Sequence, residues 1–397
     1  MQLDTIKKLG EEISSEVIGN RRHLHAYPEL SFQEFQTSAF VKNQLDSIGI
    51  EWKPMADTGV VGIIQGEKSS DKIVALRADM DALPITESND VIYKSNNEGV
   101  MHACGHDAHT ASLLGTAKML QSLRPHFGGT VKLIFQPAEE KLPGGASLMI
   151  KDGVLENPTP QAVIGQHVMP SLECGKLAVR SGKQMASMDE IFITVYGKGG
   201  HGAQPHRTID PVMIAANIIT MLQQVTSRMS DPTTPTVLSI GKVIANGAIN
   251  VIPDEVYMEG TFRTFDDTWR KRAHVEIEKI AKNVAETAGA RCEVKISYGY
   301  PVLKNDMKLT TLVTAAAEEY LGKENVVDAG LWMAAEDFAY YSQRQNSCFY
   351  FLGVGNEEKN INSGLHTPTF NIDERVLATS TGLMTYIALK QLGNHFS

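Results

Sequence analysis

With 397 residues the chain exceeds the size at which a single hydrophobic core stops growing, so two domains are expected, and an apolar fraction of 42% supplies ample core. A net charge of -9 gives no electrostatic reason to bind phosphate backbones, which excludes nucleic acid as the expected partner. Cys104, Cys174, Cys292 and Cys348 have no framework spacing, and the longest apolar run, around 212–222, is too short to cross a bilayer, so the expectation is a cytoplasmic protein with no membrane role.

The opening MQLDTIKKLGEEI reads as a charged amphipathic helix rather than a signal peptide. Helical spacing of apolar residues covers 6–24 and again 35–48, the second helix stopping at Gly49. Strands follow at 60–64 and 73–79, then a helix at 108–123, a strand at 130–135, a helix at 146–151 and a strand at 162–168. Buried-strand runs alternating with helices predict an α/β fold with a mixed, largely parallel sheet covered by helices. From Met188 the rhythm becomes β-α-β-β-α-β, the ferredoxin-like pattern of an inserted α+β domain. After Pro301 the helix and strand alternation resumes, ending in a helix at 374–392. The domain reading is therefore 1–182 and 300–397 for a catalytic domain and 183–299 for the insertion.

The densest collection of metal-seeking atoms is HACGHDAH at 102–109, with Cys104 and His106 two positions apart. A thiolate beside an imidazole suits zinc or a similar transition ion, whereas calcium and magnesium want oxygen shells. Three predicted strands run into acidic or imidazole residues: Asp79 and Asp81 after IVAL, Glu139 and Glu140 after KLIF, and His167 after AVIG. Ligands collect at the carboxyl ends of strands in open α/β sheets, so these groups are expected to meet the Cys104 loop, with His366 joining from GLHTP. Cys104, His106, Glu140, His167 and His366 supply enough donors for two adjacent ions with one ligand bridging. In the Glu139-Glu140 pair, neighbouring side chains of extended backbone point to opposite sides, so one carboxylate can bind metal while the other moves protons. Asp79 is expected to accept the spare N–H of a ligating imidazole.

Together HACGHDAH, QPAEE, RADMDALP, GKGGHGAQPH (197–206), INVIPDE (249–255) and LHTP resemble the metal-dependent amidohydrolase and carboxypeptidase family that includes aminoacylases, hippurate hydrolase, carboxypeptidase G and plant auxin-conjugate hydrolases. The likeness spans nearly the whole chain and is greatest for the hippurate and auxin-conjugate branch, where cysteine replaces a bridging aspartate. Other branches carry H-x-D where this chain has Arg77-Ala78-Asp79. The resemblance implies a fold like that of the di-metal exopeptidases. It also implies two divalent ions, zinc or manganese, on Cys104, His106, Glu140, His167 and His366, with Glu139 and Asp79 as catalytic carboxylates. It further implies a homodimer built on the inserted domain, with His201 reaching the other subunit's site to stabilise the oxyanion and Asn250 and Arg263 holding the substrate carboxylate. The implied reaction is hydrolysis of a small-molecule N-acyl amino acid, hippurate-like or N-acetyl, by a metal-activated water with Glu139 as general base. A peptidase acting on dipeptides or aminoacyl substrates is the nearest alternative, and a non-catalytic metal-dependent binding protein the more distant one.

Several neighbours take plainer readings. His102 and His109 are expected to support the ligands from behind or to shape the loop, Asp107 to cap the helix near 108, and Asp81 to satisfy turn backbone before Pro84. Glu336 and Asp337 are assigned to a helix dipole, and the glycines at 197–202 to a tight turn presenting His201.

Overall fold

The computed structural model describes residues 3–393. Where the apolar spacing predicts one opening helix there are two, α1 (Leu3–Glu12) and α2 (Ser14–Ala26), broken at Ile13. α3 (Phe35–Ser47) stops as expected before Gly49, whose φ of +71° is the left-handed conformation that glycine tolerates best. β1 (Glu51–Met55) is largely exposed and contains Pro54, an edge-strand composition that left no apolar run to read. It pairs antiparallel with β2 (Gly59–Gln65), and β3 (Lys68–Asp79) leads through an irregular stretch to α4 (His106–Ser122). β4 (Gly128–Gln136), α5 (Gly145–Lys151), β5 (Ala162–Glu173) and β6 (Leu177–Val179) complete the first segment.

The chain divides into two compact units, one made of the residues up to Gln184, Lys304–Gly330 and those from Asp337 onward, the other of Met185–Leu303 and Leu331–Glu336. The second unit holds β7 (Ser187–Tyr196), β8 (Gly200–His201), α6 (Pro211–Gln224), β9 (Thr236–Ile244), β10 (Val251–Ile252), β11 (Glu255–Thr264), α7 (Asp267–Thr287) and β12 (Arg291–Tyr298). Its four long strands lie antiparallel in the order β9-β11-β7-β12, the ferredoxin-like arrangement. Alternate residues of β7, Ile191, Ile193 and Val195, face a core closed by Ile214 and Ile218 of α6 and Ile277 and Ala281 of α7. Asp210 and Asp266 start the two helices by accepting backbone N–H groups of Val212 and Trp269. Segment 331–336, which the sequence reading placed in the catalytic part, is tied to this unit by bonds from Ala186 N to the Trp332 and Ala334 carbonyls.

The chain returns through α8 (Met307–Leu321), β13 (Val326–Asp328), β14 (Ser347–Gly355) and α9 (Val376–Gln391). The large sheet runs β1-β2-β4-β3-β5-β14-β6-β13, with β4, β3, β5 and β14 parallel at its centre. β14 is buried along its whole length, and α4 and α9 are buried almost all round, as helices walled in by neighbours must be. α4 is locked to α2 by charge: Arg21 Nε donates to Asp107 Oδ2 at 2.8 Å and His25 Nδ1 lies 2.7 Å from the same oxygen. Asp107 is therefore no helix cap, the correction to the sequence reading; the cap position belongs to Gly105. Breaking a buried pair from one side costs about 3–5 kcal/mol, more than any cap contributes, so this pairing dominates the placement of the N-terminus of α4.

Candidate metal centre

β3, β4 and β5 run parallel and end at one edge, where the loop entering α4 meets them. Gly105 makes the loop possible. Its φ is +85°, and a Cβ there would fall 2.4 Å from Val168 Cγ2, so glycine is required both by conformation and by space. The kink lets Cys104 and His106 aim at one point.

Cys104, His106 and His167 bring their ligand atoms within 4.8 Å of one another, and so do Cys104, Glu140 and His366. Cys104 belongs to both trios, and its Sγ lies 3.3 Å from His167 Nε2. The two buried imidazoles are preset by their far nitrogens. His106 Nδ1 lies 2.8 Å from the Asp81 carbonyl, and His167 Nδ1 lies 2.7 Å from the Val168 carbonyl. A carbonyl can only accept, so Nδ1 carries a proton in each ring and each Nε2 faces the centre. His366 enters from a loop in which it takes φ +59°, held by its N–H to the Ala103 carbonyl, and its half-exposed ring places Nε2 3.1 Å from Glu140 Oε1.

A cation fits this donor set. His106 Nε2 is buried and makes no hydrogen bond among the described residues, and Glu140 Oε1 is buried with the His366 ring beside it at 3.1 Å. An orphaned atom such as His106 Nε2 is costly unless something completes it. Burial lowers the His106 pKa, yet Asp79 and Asp81 outweigh it and lift the ring to about 10. Burial pushes the Cys104 thiol well up, and the charges of Glu140, Glu139 and Asp79 push it further. Both shifts say that the pocket is short of positive charge, which metal ions supply while holding the sulfur as thiolate.

Asp79 does not face the far nitrogen of His106. Its Oδ1 takes His109 Nδ1 at 2.6 Å and its Oδ2 takes Arg77 Nη1 at 2.6 Å. Burial would raise the Asp79 pKa, but Arg77 holds it well below the usual range. The orienting position belongs to Asp81, two residues on, which the sequence reading assigned to a turn. Its carbonyl and Oδ1 face His106 Nδ1, and its two carboxylate oxygens accept the amides of Glu139 and Glu140, each at 3.0 Å. Asp79 and Asp81 share a face of extended backbone, the signal that could have nominated both. His109 is no ligand, because its second nitrogen accepts the Val168 amide at 2.9 Å. Asp337, expected to serve a helix dipole, is instead buried against Arg77 Nη2 and Gln136 Nε2, each at 2.8 Å, and its amide faces Glu139 Oε1 at 3.4 Å.

The remaining sequence-derived residues lie in the ferredoxin-like unit. His201 on β8 pairs with Val251 and is exposed, and the Gly202 amide bonds the Asn250 carbonyl, so His201 and Asn250 share one corner. Arg263 lies near the far end of β11, its Nη1 on the Met333 carbonyl at 3.1 Å. Asn250 precedes β11, and from Glu255 at its start to Arg263 that strand alone spans roughly 26 Å at the usual rise per residue.

The fold and its donor set define a metal-dependent hydrolase. The chain belongs to peptidase family M20/M25/M40, whose model matches residues 75–390. An N-acyl-L-amino acid amidohydrolase from Geobacillus stearothermophilus is 47% identical over 77% of this chain and 82% of its own length. Thermostable carboxypeptidase 2 from Saccharolobus solfataricus is 40% identical over 98% of this chain and 99% of its own. Among solved structures, a Bacillus subtilis protein described as a dinuclear metal-binding peptidase from the M20 family superposes with a TM-score of 0.82 at 35% identity, covering 97% of this chain and 100% of that one.

Proposed function

We propose that the protein hydrolyses the amide bond of N-acyl amino acids, releasing a carboxylic acid and a free amino acid. The observation that carries this reading is Cys104 shared between two ligand trios with the buried carboxylate of Glu139 beside them. The likeness to the Geobacillus amidohydrolase supports it. Cys104, His106 and His167 would hold one divalent ion, zinc or manganese, and Cys104, Glu140 and His366 the other. Bound there, such ions polarise a carbonyl and make water acidic enough to lose a proton near neutral pH.

Glu139 takes that proton as the water oxygen bonds to the amide carbon, and returns it to the nitrogen as the C–N bond breaks, general acid/base work worth about 10² to 10⁴ in rate. Asp81 keeps His106 in the ligating tautomer and holds the amides of Glu139 and Glu140. Asp79 supports this indirectly, by fixing His109 and Arg77.

The separation of Asn250 and His201 from Arg263 supports a homodimer. One small substrate cannot touch both ends of β11 in one chain, so we assign His201 and Asn250 to the neighbouring subunit's site. Mixing inactive His201→Ala with inactive Glu139→Gln protein should then restore about one quarter of wild-type activity, since half the random dimers are hybrids with one intact site of two. Subunit exchange without recovery would reject the shared site.

No described helix is long and apolar enough to cross a membrane, and all four cysteines are free, which supports a cytoplasmic setting. The likeness to a carboxypeptidase favours a second reading, removal of a terminal residue from short peptides by the same centre. A panel of N-acetyl-, benzoyl- and indole-acetyl-amino acids against dipeptides decides between the two. The amidohydrolase reading expects kcat/KM at least about tenfold higher on an acyl-amino acid, a margin of about 1.4 kcal/mol in transition-state binding; the reverse order would establish the peptidase.

A further inference from the structure

Glu34 lies outside the ligand set and is fully buried. It occupies the position before α3, where serine, threonine, asparagine or aspartate would cap the helix, but its side chain makes no capping bond. It reaches instead to the turn after β4. Glu34 Oε1 accepts the Ala138 amide at 2.8 Å and the Phe32 amide at 3.0 Å, and Oε2 accepts the Thr58 hydroxyl at 2.8 Å. Ala138 and Phe32 have φ of +50° and +69°, left-handed conformations that persist in residues with side chains only where the surroundings enforce them.

Ala138, Glu139 and Glu140 therefore present three successive amides to carboxylates outside the turn, the first to Glu34 and the next two to Asp81. Ser31, from the same segment as Glu34, donates to Asp81 Oδ2 at 2.6 Å. Residues 31–34 thus brace both carboxylates that fix the direction of Glu139 and Glu140.

We propose that Glu34 is a positioning residue for the reaction: through the Ala138 amide it holds the strained turn that aims Glu139 at the centre. The inference rests on Glu139 as the proton carrier. It also requires geometry and not charge from Glu34. A glutamine with its carbonyl oxygen in the place of Oε1 accepts both amides, and its NH2 can donate to Thr58, whose hydroxyl can turn to accept. Aspartate keeps the charge and loses the reach by one methylene.

The test is a double-mutant cycle read as kcat, KM and metal content. Glu34→Ala is expected to lower kcat about 100-fold, the cost of misplacing a reacting group by about 1 Å, with KM changed less than about threefold and two ions bound. Glu34→Asp follows it, and Glu34→Gln stays within about threefold of wild type. Glu34→Ala combined with Glu139→Gln is no slower than Glu139→Gln alone, because the brace acts through the residue already disabled. An unchanged kcat in Glu34→Ala, a glutamine variant as slow as the alanine one, or losses that multiply on the Glu139→Gln background would each overturn the proposal. Should Glu34→Ala fail to fold, the aspartate and glutamine variants carry the same contrast. Glu139→Gln alone decides the base assignment, so the two can fail separately.

Discussion

Glu139→Gln is expected to lower kcat by about 10³-fold, near the middle of the range for removing a general base, while both ions stay bound and KM changes little. Glutamine has the shape of glutamate and keeps an oxygen for the Asp337 amide, which approaches Oε1 at 3.4 Å, so the turn is preserved. What is lost is a group able to take the water's proton and return it to the nitrogen. Metal content separates this role from ligation. Glu139 lies close to His106 and Glu140, so a variant that lost an ion along with activity would show Glu139 to be a ligand, and one with near wild-type turnover and both ions would reject the base. Glu140→Gln should behave differently, because Glu140 shares a trio with Cys104 and His366 and its loss weakens the hold on the ion that trio would bind.

Of the candidate ligands, His106 and His167 are the ones that local pattern nominates, because they stand where a helix begins and where an apolar run ends. Asp79, Gln136 and His167 mark the ends of apolar runs, and such runs are visible without knowing what they pack against. The ferredoxin-like unit was legible for the same reason: its strands alternate, and Asp210 and Asp266 announce its helices. What was not legible depends on contacts distant in sequence. Whether Asp79 or Asp81 faces His106 is settled by Arg77 and His109 capturing Asp79, which local pattern cannot register. Asp337 and Glu34 carry no local signal of their roles, because their partners lie 201 and 104 residues away, at the last residue of β4 and in the turn after it. Asp107 resembled a cap until Arg21, 86 residues away, claimed it. The exposed β1 has no apolar signature at all.

Cys104→Ala is expected to remove more than one donor's worth of binding. Cys104 stands in both trios, whereas His366 stands in one, so His366→Ala should weaken one ion and Cys104→Ala both. Equilibrium dialysis against zinc or manganese should then show one tightly held ion per chain for His366→Ala, and none at concentrations that saturate wild type for Cys104→Ala. Activity should fall at least about 10³-fold in the cysteine variant, since both the polarised carbonyl and the acidified water are lost. Cobalt substitution gives a readout independent of turnover: the sulfur-to-cobalt charge-transfer absorption of the wild type should be absent from Cys104→Ala and retained in His366→Ala. Folding should survive in both, because neither side chain belongs to the large apolar cluster that holds β14 and α9. Two ions retained by Cys104→Ala would mean that the trios do not share the sulfur. The paired-ion arrangement would then have to be rebuilt around His106, which lies within ligand distance of Glu139 and Glu140 as well.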